Sequence, residues 1–109
     1  MTTRSITAGA LRQIAGIHDY IARDSTQSAQ RVVDRIHEII DLVTERPRIG
    51  HKMRERGMRM YVVKPYPYIV FYTYLERSDE VRINRVRHAA MRRGALQEEP
   101  AEFRAVVIS

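Results

Sequence analysis

The first half of the chain repeats apolar residues at intervals of three and four, which predicts two amphipathic helices. The first helix follows Thr7, whose hydroxyl is suited to an N-cap. A polar break predicts a second cap at Asp24, with Gln27 completing a capping box. Residues 45–47, Glu-Arg-Pro, should end the second helix, because the residue before proline disfavours helical geometry. The apolar positions are Leu11, Ile14, Ala15, His18, Ile21 and Ala22 in the first helix and Ala29, Val32, Val33, Ile36, Ile39, Ile40 and Val43 in the second.

The second half carries three β-type runs, which predict a small antiparallel sheet. The runs are Met58–Lys64, Tyr66–Leu75 and Val81–His88. The middle run is dense in Tyr, Phe, Ile and Val with hardly a charge, as is typical of a strand covered on both faces. Two prolines make the first connection a rigid turn, and a polar stretch before the third run suits a hairpin loop.

Two shorter features complete the sheet. Met1–Ile6 predicts a brief fourth strand at an edge. In the third run the apolar residues change parity, with Val81 and Ile83 on one face and Val86 on the other. Either a β-bulge or a strand with mixed faces explains the change, and we favour mixed faces.

These elements predict an α+β fold in which an N-terminal antiparallel helical hairpin packs on a sheet of three to four strands. The 109 residues leave room for one domain, which we expect to span residues 1–93. Ala89–Arg93 is expected to open a short helix that Gly94 stops, residues 94–109 to form a C-terminal tail, and Arg46–Arg56 an exposed basic loop.

Composition narrows the class of protein. The chain has no cysteine, which excludes disulfides, thiolate nucleophiles and cysteine-based zinc sites. No apolar run approaches the roughly 20 residues that span a bilayer, and the N-terminus lacks the apolar core of a signal peptide. We therefore expect a cytoplasmic protein without membrane contact.

The net charge of +6 is concentrated in the sheet half, since residues 46–93 hold 13 of the 19 Lys and Arg residues but 4 of the 13 acidic ones. Such a field attracts nucleic acid, an anionic membrane or an acidic protein segment. Charge alone does not choose among them.

Candidate chemistry is sparse. The four histidines lack the spacing of a metal-binding helix, and no phosphate-binding loop or carboxylate pair is evident. We expect neither a metal site nor a cofactor. Arg59, Arg85, Arg87 and His88 lie within predicted strands, where they either face solvent or form a functional surface.

At these residues the chain resembles toxins of the RelE/ParE superfamily from bacterial type II toxin–antitoxin systems. The resemblance covers most of residues 7–93 and depends on the order and spacing of several short pieces. The pieces are Leu11-x-x-Ile14 with Tyr20-Ile21, Ala29–Ile40, Arg46-Pro47-Arg48-Ile49-Gly50, Met58-Arg59, Tyr66–Tyr72 and Ile83–His88.

This chain departs from the family pattern in three places, which affect its surface. The opening strand is short, Met91 stands where the family often has an Arg, and Asn84 and Arg87 replace residues that are usually apolar. The last strand should therefore be more exposed to solvent than is typical for the family.

The resemblance implies one of two targets. Toxins similar to ParE poison DNA gyrase without chemistry of their own, whereas those similar to RelE cut mRNA on the ribosome. RNA cleavage needs a proton acceptor, which Arg cannot supply, and no tyrosine follows Tyr74 and no lysine follows Lys64. We therefore favour the gyrase poison, which is not an enzyme, over the ribosome-dependent endoribonuclease. A basic nucleic-acid-binding module is a further alternative.

The resemblance also implies partners and contact residues. We expect a cognate antitoxin that lays an acidic, amphipathic segment across the helices and the basic sheet, forming a toxin–antitoxin hetero-oligomer. His88, Arg59 and Arg85 are the catalytic candidates if the chain is an RNase. The residues expected to contact target or antitoxin are Arg59, Tyr68, Tyr72, Arg85, His88 and Arg92.

Overall fold

A computed structural model describes residues 1–55 and 57–91, with only the backbone of residue 91. Strand β1 (Thr3–Ile6) precedes helices α1 (Ala8–Ala22) and α2 (Thr26–Glu45). Strands β2 (His51–Lys52), β3 (Met58–Val62), β4 (Tyr68–Leu75) and β5 (Glu80–His88) follow, and a single 3₁₀ turn covers Ala89–Met91. The predicted α+β class is confirmed. Arg92 and the predicted tail at 94–109 lie outside the described residues.

Side-chain caps begin both helices. Thr7 Oγ1 accepts a hydrogen bond from the Ala10 amide at 3.1 Å, as predicted. In α2 the cap is Ser25, whose Oγ accepts from the Ser28 amide at 3.1 Å, so the prediction of Asp24 was wrong by one residue. Ser25 takes the extended backbone of an N-cap, whereas Asp24 lies in the turn that follows α1, where its amide bonds to the Ile21 carbonyl at 3.0 Å.

The apolar stripe of α2 lies in the core as predicted, but that of α1 is rotated. Ala10 and Ile14 are buried, and Ile17 and Ile21 pack beside them. Leu11, which was predicted to face the core, is 52% exposed. Ala15 is also exposed. The buried set follows spacings of four, three and four, so the helix faces the sheet along a line that begins one residue earlier than expected.

The sheet has five strands in the order β1-β5-β4-β3-β2, where the sequence predicted three to four. The additional strand is β2, which pairs His51 with Met60 inside the segment predicted as a loop. β1 lies at an edge, as expected, but it pairs with β5 in parallel, so the sheet is mixed rather than wholly antiparallel.

The change of parity in the last strand is caused by a bulge, and the preference for mixed faces was wrong. β4 residues Phe71 and Tyr72 pair with Arg85 and Ile83, which leaves Asn84 as an extra residue in β5. The extra residue returns Val86 to the face of Val81 and Ile83. All three are buried in the core under the helices.

The central strand β4 is covered on both faces, as predicted. Alternate residues Tyr68, Val70 and Tyr72 join the core formed with the helices. Ile69 and Phe71 join a smaller cluster on the other face, which we call the helix-free face. Neither helix among the described residues is long and apolar enough to cross a membrane.

Candidate functional site

A groove of about 640 Å³ opens between α1 and the end of β5, and we call it the α1 groove. Its wall on α1 contains Gly16 and Tyr20, whose ring is 65% exposed. The Arg23 guanidinium lies 5.4 Å from the centre of that ring. The lining residues are Gln13, Gly16, Ile17, Tyr20, Tyr68, Val86, Arg87 and His88. The groove is therefore largely apolar, with cations at its border.

Tyr68 and His88 form the floor at one end, because they lie opposite each other on β4 and β5. Their rings meet edge to face with centroids 5.3 Å apart. Burial raises the pKa of the Tyr68 hydroxyl, and nearby Tyr20 raises it further. The sequence named both residues, and the structure brings them together.

The imidazole of His88 is held by the backbone that follows it. Its Nδ1 accepts a hydrogen bond from the Ala90 amide at 3.0 Å. The neighbouring Ala89 amide donates to the Pro67 carbonyl at 2.8 Å, which fixes this turn against the start of β4. A neutral His88 with Nδ1 as acceptor carries its proton on Nε2.

Beyond the end of β1, backbone groups at the edge of β5 beside the groove form hydrogen bonds with the side chains of Thr7 and Gln13. Gln13 Oε1 accepts from the Val86 amide at 2.8 Å. Thr7 Oγ1 donates to the Asn84 carbonyl at 3.1 Å. The sequence pattern indicates no role for Gln13, because its hydrogen-bond partner Val86 lies 73 positions away.

Tyr72 and Arg59 lie at the other end of the sheet, beneath the segment Arg46–Gly50, which we call the 46–50 turn. The Tyr72 hydroxyl donates to the Pro47 carbonyl at 2.9 Å and accepts from the Gly50 amide at 2.8 Å. Arg59 Nη1 donates to the carbonyls of Arg48 at 3.1 Å and Gly50 at 2.9 Å. A Cβ on Gly50 would collide with the Tyr72 hydroxyl.

Burial decides what Tyr72 can do. Its side chain has 0% exposure, so in this conformation it offers no atom to a partner. Burial raises the pKa of its hydroxyl, partly offset by the Gly50 hydrogen bond and the Arg59 charge. The hydroxyl therefore stays protonated at neutral pH and can donate to Pro47.

Arg85 lies on the helix-free face. Its guanidinium is 5.1 Å from the centre of the Phe71 ring and its Nη2 is 3.4 Å from Glu55 Oε1. Its buried Nε has no hydrogen-bond partner among the described residues. Arg82 and Arg87 share this face, because their β4 partners Thr73 and Ile69 alternate with Phe71.

The three catalytic candidates are not brought together. Arg59 and His88 pair with Tyr72 and Tyr68, so both point towards the helices, but their partners are four positions apart on β4. That is about 13 Å along the strand, and β3 and β5 flank β4 about 10 Å apart. Arg85 points to the opposite face.

Metal ligands do not assemble either. Within residues 1–55 and 57–91, no group of three or more His, Asp or Glu side chains could hold a metal ion. The sequence missed Gly16 and Tyr20 as parts of the groove. A glycine in the middle of a helix and an aromatic residue off the apolar stripe are the signals that mark them.

Comparison with known proteins gives matches over most of the chain. The family described as ParE toxin of type II toxin-antitoxin system, parDE, matches residues 5–93. A Sinorhizobium fredii protein named toxin Y4kP is 37% identical over 83 residues, which are 76% of this chain and 83% of that protein. Toxin RelE2 of Caulobacter vibrioides is 36% identical over 81 residues, 74% of this chain and 88% of that protein.

Solved structures share the fold. The chromosomal ParDE TA system from P. aeruginosa superposes with a TM-score of 0.70 at 19% identity, covering 81% of this chain and 96% of that chain. The intact E. coli RelBE toxin-antitoxin complex gives a TM-score of 0.60 at 18% identity, covering 79% and 94%. Each match spans nearly all of the solved chain, so the likeness concerns a whole domain.

Proposed function

The chain belongs to the ParE toxin family of type II toxin–antitoxin systems, and from that premise we propose that it stops growth by binding DNA gyrase without carrying out chemistry of its own. A cognate antitoxin neutralises it. The family membership favours a growth inhibitor, and the geometry of the candidate residues favours a binding mechanism over a catalytic one.

The observation that carries the proposal is the separation of Arg59, Arg85 and His88. Cleavage of RNA requires a proton acceptor near the 2′-hydroxyl and cationic donors near the same phosphate. Here the acceptor and one arginine stand at opposite ends of the sheet, and the other arginine lies on the opposite face. A substrate phosphate at any one of them is out of reach of the other two.

The hydrogen bonding of His88 supports the same conclusion. A general base needs a free nitrogen lone pair, and the lone pair of Nδ1 already accepts the Ala90 amide at 3.0 Å. The ring therefore fastens the end of β5 instead of presenting a base.

The test is the substitution His88→Gln. The amide oxygen of Gln can accept the Ala90 hydrogen bond, so we expect the variant to arrest growth at a dose within about twofold of wild type. An RNase that used His88 as its base would lose roughly 10²-fold to 10⁴-fold in rate. His37→Gln, at an exposed histidine of α2, is the matched control.

Ribosome-dependent mRNA cleavage is the second candidate, and the similarity to toxin RelE2 favours it. A folded His88→Gln protein that no longer arrests growth, together with mRNA cleavage by wild type on ribosomes, would replace the gyrase proposal with this one.

We place the antitoxin in the α1 groove. The groove offers an apolar floor with the Arg23 guanidinium beside Tyr20 at its border, which suits an amphipathic, acidic segment. Gly16 leaves its wall open, since a Cβ at that position would meet no atom within 4 Å.

The openness at Gly16 allows a substitution that fills the groove without disturbing the fold. Gly16→Leu should weaken antitoxin binding at least about tenfold, while the thermal midpoint stays or rises because glycine is a poor helix former. Co-expressed antitoxin should then fail to restore growth. Ala15→Leu places the same side chain, with one carbon less added, at an exposed neighbour outside the groove and should leave rescue intact. Full rescue of Gly16→Leu would exclude this site.

A further inference from the structure

The 46–50 turn is an exposed loop held by side chains of the sheet. Its residues 46–49 are at least partly exposed and Gly50 is buried. Tyr72 and Arg59 together make four hydrogen bonds to its backbone. A fifth bond, from the Ile49 amide to the Arg46 carbonyl at 3.0 Å, closes the turn on itself.

These bonds fix the backbone of a segment that would otherwise sample many conformations. The two side chains come from β3 and β4, two interior strands of the sheet, so the turn is anchored to the rigid core. A contact loop whose shape is fixed beforehand loses little conformational entropy on binding. Such an arrangement is useful for recognition.

The turn presents one apolar side chain among cations. Ile49 is 38% exposed. Arg48 is held beside it, with its guanidinium 5.2 Å from the Tyr74 ring centre and 2.9 Å from Glu76. Arg46 and Lys52 are exposed and form no ion pair with any described residue. An apolar centre with a charged rim is the usual composition of a protein contact surface.

We propose that the 46–50 turn is the surface that grips the growth target, with Ile49 as its apolar anchor and Tyr72 and Arg59 as positioning residues. The partner surface is a protein with an apolar recess edged by carboxylates, because the rim of the turn is cationic. This inference depends on the proposed function in one respect, namely that the growth target is a protein.

This surface is separate from the α1 groove. The groove ends at Tyr68 and the turn is fastened at Tyr72, about 13 Å further along β4. Loss of target binding and loss of antitoxin binding can therefore be produced independently.

The first test compares Ile49→Ser with Leu11→Ser, a matched change at an exposed leucine of α1. Growth arrest, antitoxin binding and the thermal midpoint are measured for each full-length chain. We expect Ile49→Ser to need at least about tenfold more toxin for growth arrest, with antitoxin binding and midpoint unchanged. Leu11→Ser should behave as wild type. Equal potency of Ile49→Ser and wild type would overturn the proposal.

The second test separates positioning from stability. Tyr72→Phe should reduce the potency of growth arrest in the wild-type background. It should cause no further loss of potency when Ile49 is already Ser, because the Tyr72 hydroxyl affects target binding by positioning Ile49. A purely structural role predicts the same loss in both backgrounds and would reject Tyr72 as a positioning residue.

Binding of purified gyrase to the same variants distinguishes the two proposals. Gyrase binding that Ile49→Ser leaves intact rejects the turn but keeps gyrase as the target. Loss of growth arrest by Ile49→Ser without any wild-type binding to gyrase keeps the turn and rejects gyrase. Binding of the turn to duplex DNA alone, with a steep salt dependence, would contradict a protein partner.

Discussion

At the scale of single residues, Tyr72 and Arg59 stabilise the 46–50 turn through hydrogen bonds to its backbone. Tyr72 and Arg59 were expected to touch a partner, and the structure shows them fastening the 46–50 turn from inside. The apolar pattern showed that β4 is buried on both faces. It did not show that the Tyr72 hydroxyl bonds to Pro47 and Gly50, which lie 25 and 22 positions away in the sequence. Periodicity carries no information on contacts of that range.

Removal of one hydroxyl tests this role. Tyr72→Phe leaves the Gly50 amide and the Pro47 carbonyl without their partner, which should cost about 1–3 kcal/mol of unfolding free energy. For a domain of this size the thermal midpoint should fall by roughly 5 °C or more. Tyr61→Phe is the control, because that hydroxyl makes no hydrogen bond with the described residues. Equal midpoints for the two variants in a calorimetric scan would show that the bridge is not stabilising.

At the scale of elements, the strongly periodic segments could be predicted and the short or paired ones could not. α2 and β4 carry enough consecutive apolar positions to define their buried faces. β2 has two residues, and its existence depends on pairing with β3. The direction of β1 and the bulge at Asn84 also depend on neighbours across the sheet, so a local pattern leaves them open.

The Asp79 carboxylate adds side-chain hydrogen bonds at the start of β1, beside the backbone pairing of β1 with β5. Asp79 accepts hydrogen bonds from the Tyr74 hydroxyl at 2.8 Å and the Thr2 hydroxyl at 2.8 Å. The Tyr74 bond first, and then the Thr2 bond, hold the pKa of Asp79 below its usual value. Because the pKa is lowered in the folded state, the stabilisation is present above about pH 4 and is lost as the pH falls through the folded pKa.

We therefore expect amide exchange in β1 to accelerate relative to β4 when the pH is lowered from 6 to 3, after correction for intrinsic rates. Asp79→Asn is the control, because Asn is nearly isosteric, does not titrate and tolerates the positive φ of 52° at this position. A wild-type β1 that stays as protected at pH 3 as at pH 6 would show that the carboxylate does not hold the strand.

At the scale of the whole molecule, we assign the two ends of the sheet to different binding partners. The α1 groove, with Tyr68 and His88, is open and apolar and is assigned to the antitoxin. The 46–50 turn is rigid and cationic and is assigned to the target. Composition indicated the cationic bias of residues 46–93. Only the fold shows that candidate residues within this range lie at opposite ends of the sheet.

One paired measurement distinguishes a toxin that acts by binding gyrase from one that cleaves mRNA. A single preparation of the purified chain is divided between gyrase with plasmid DNA and ribosomes translating a defined mRNA. We expect gyrase-dependent accumulation of cleaved plasmid at toxin doses that leave the mRNA intact. Cleavage of the mRNA on ribosomes, with no effect on gyrase and with loss of activity in His88→Gln, would contradict the account and make the chain an enzyme.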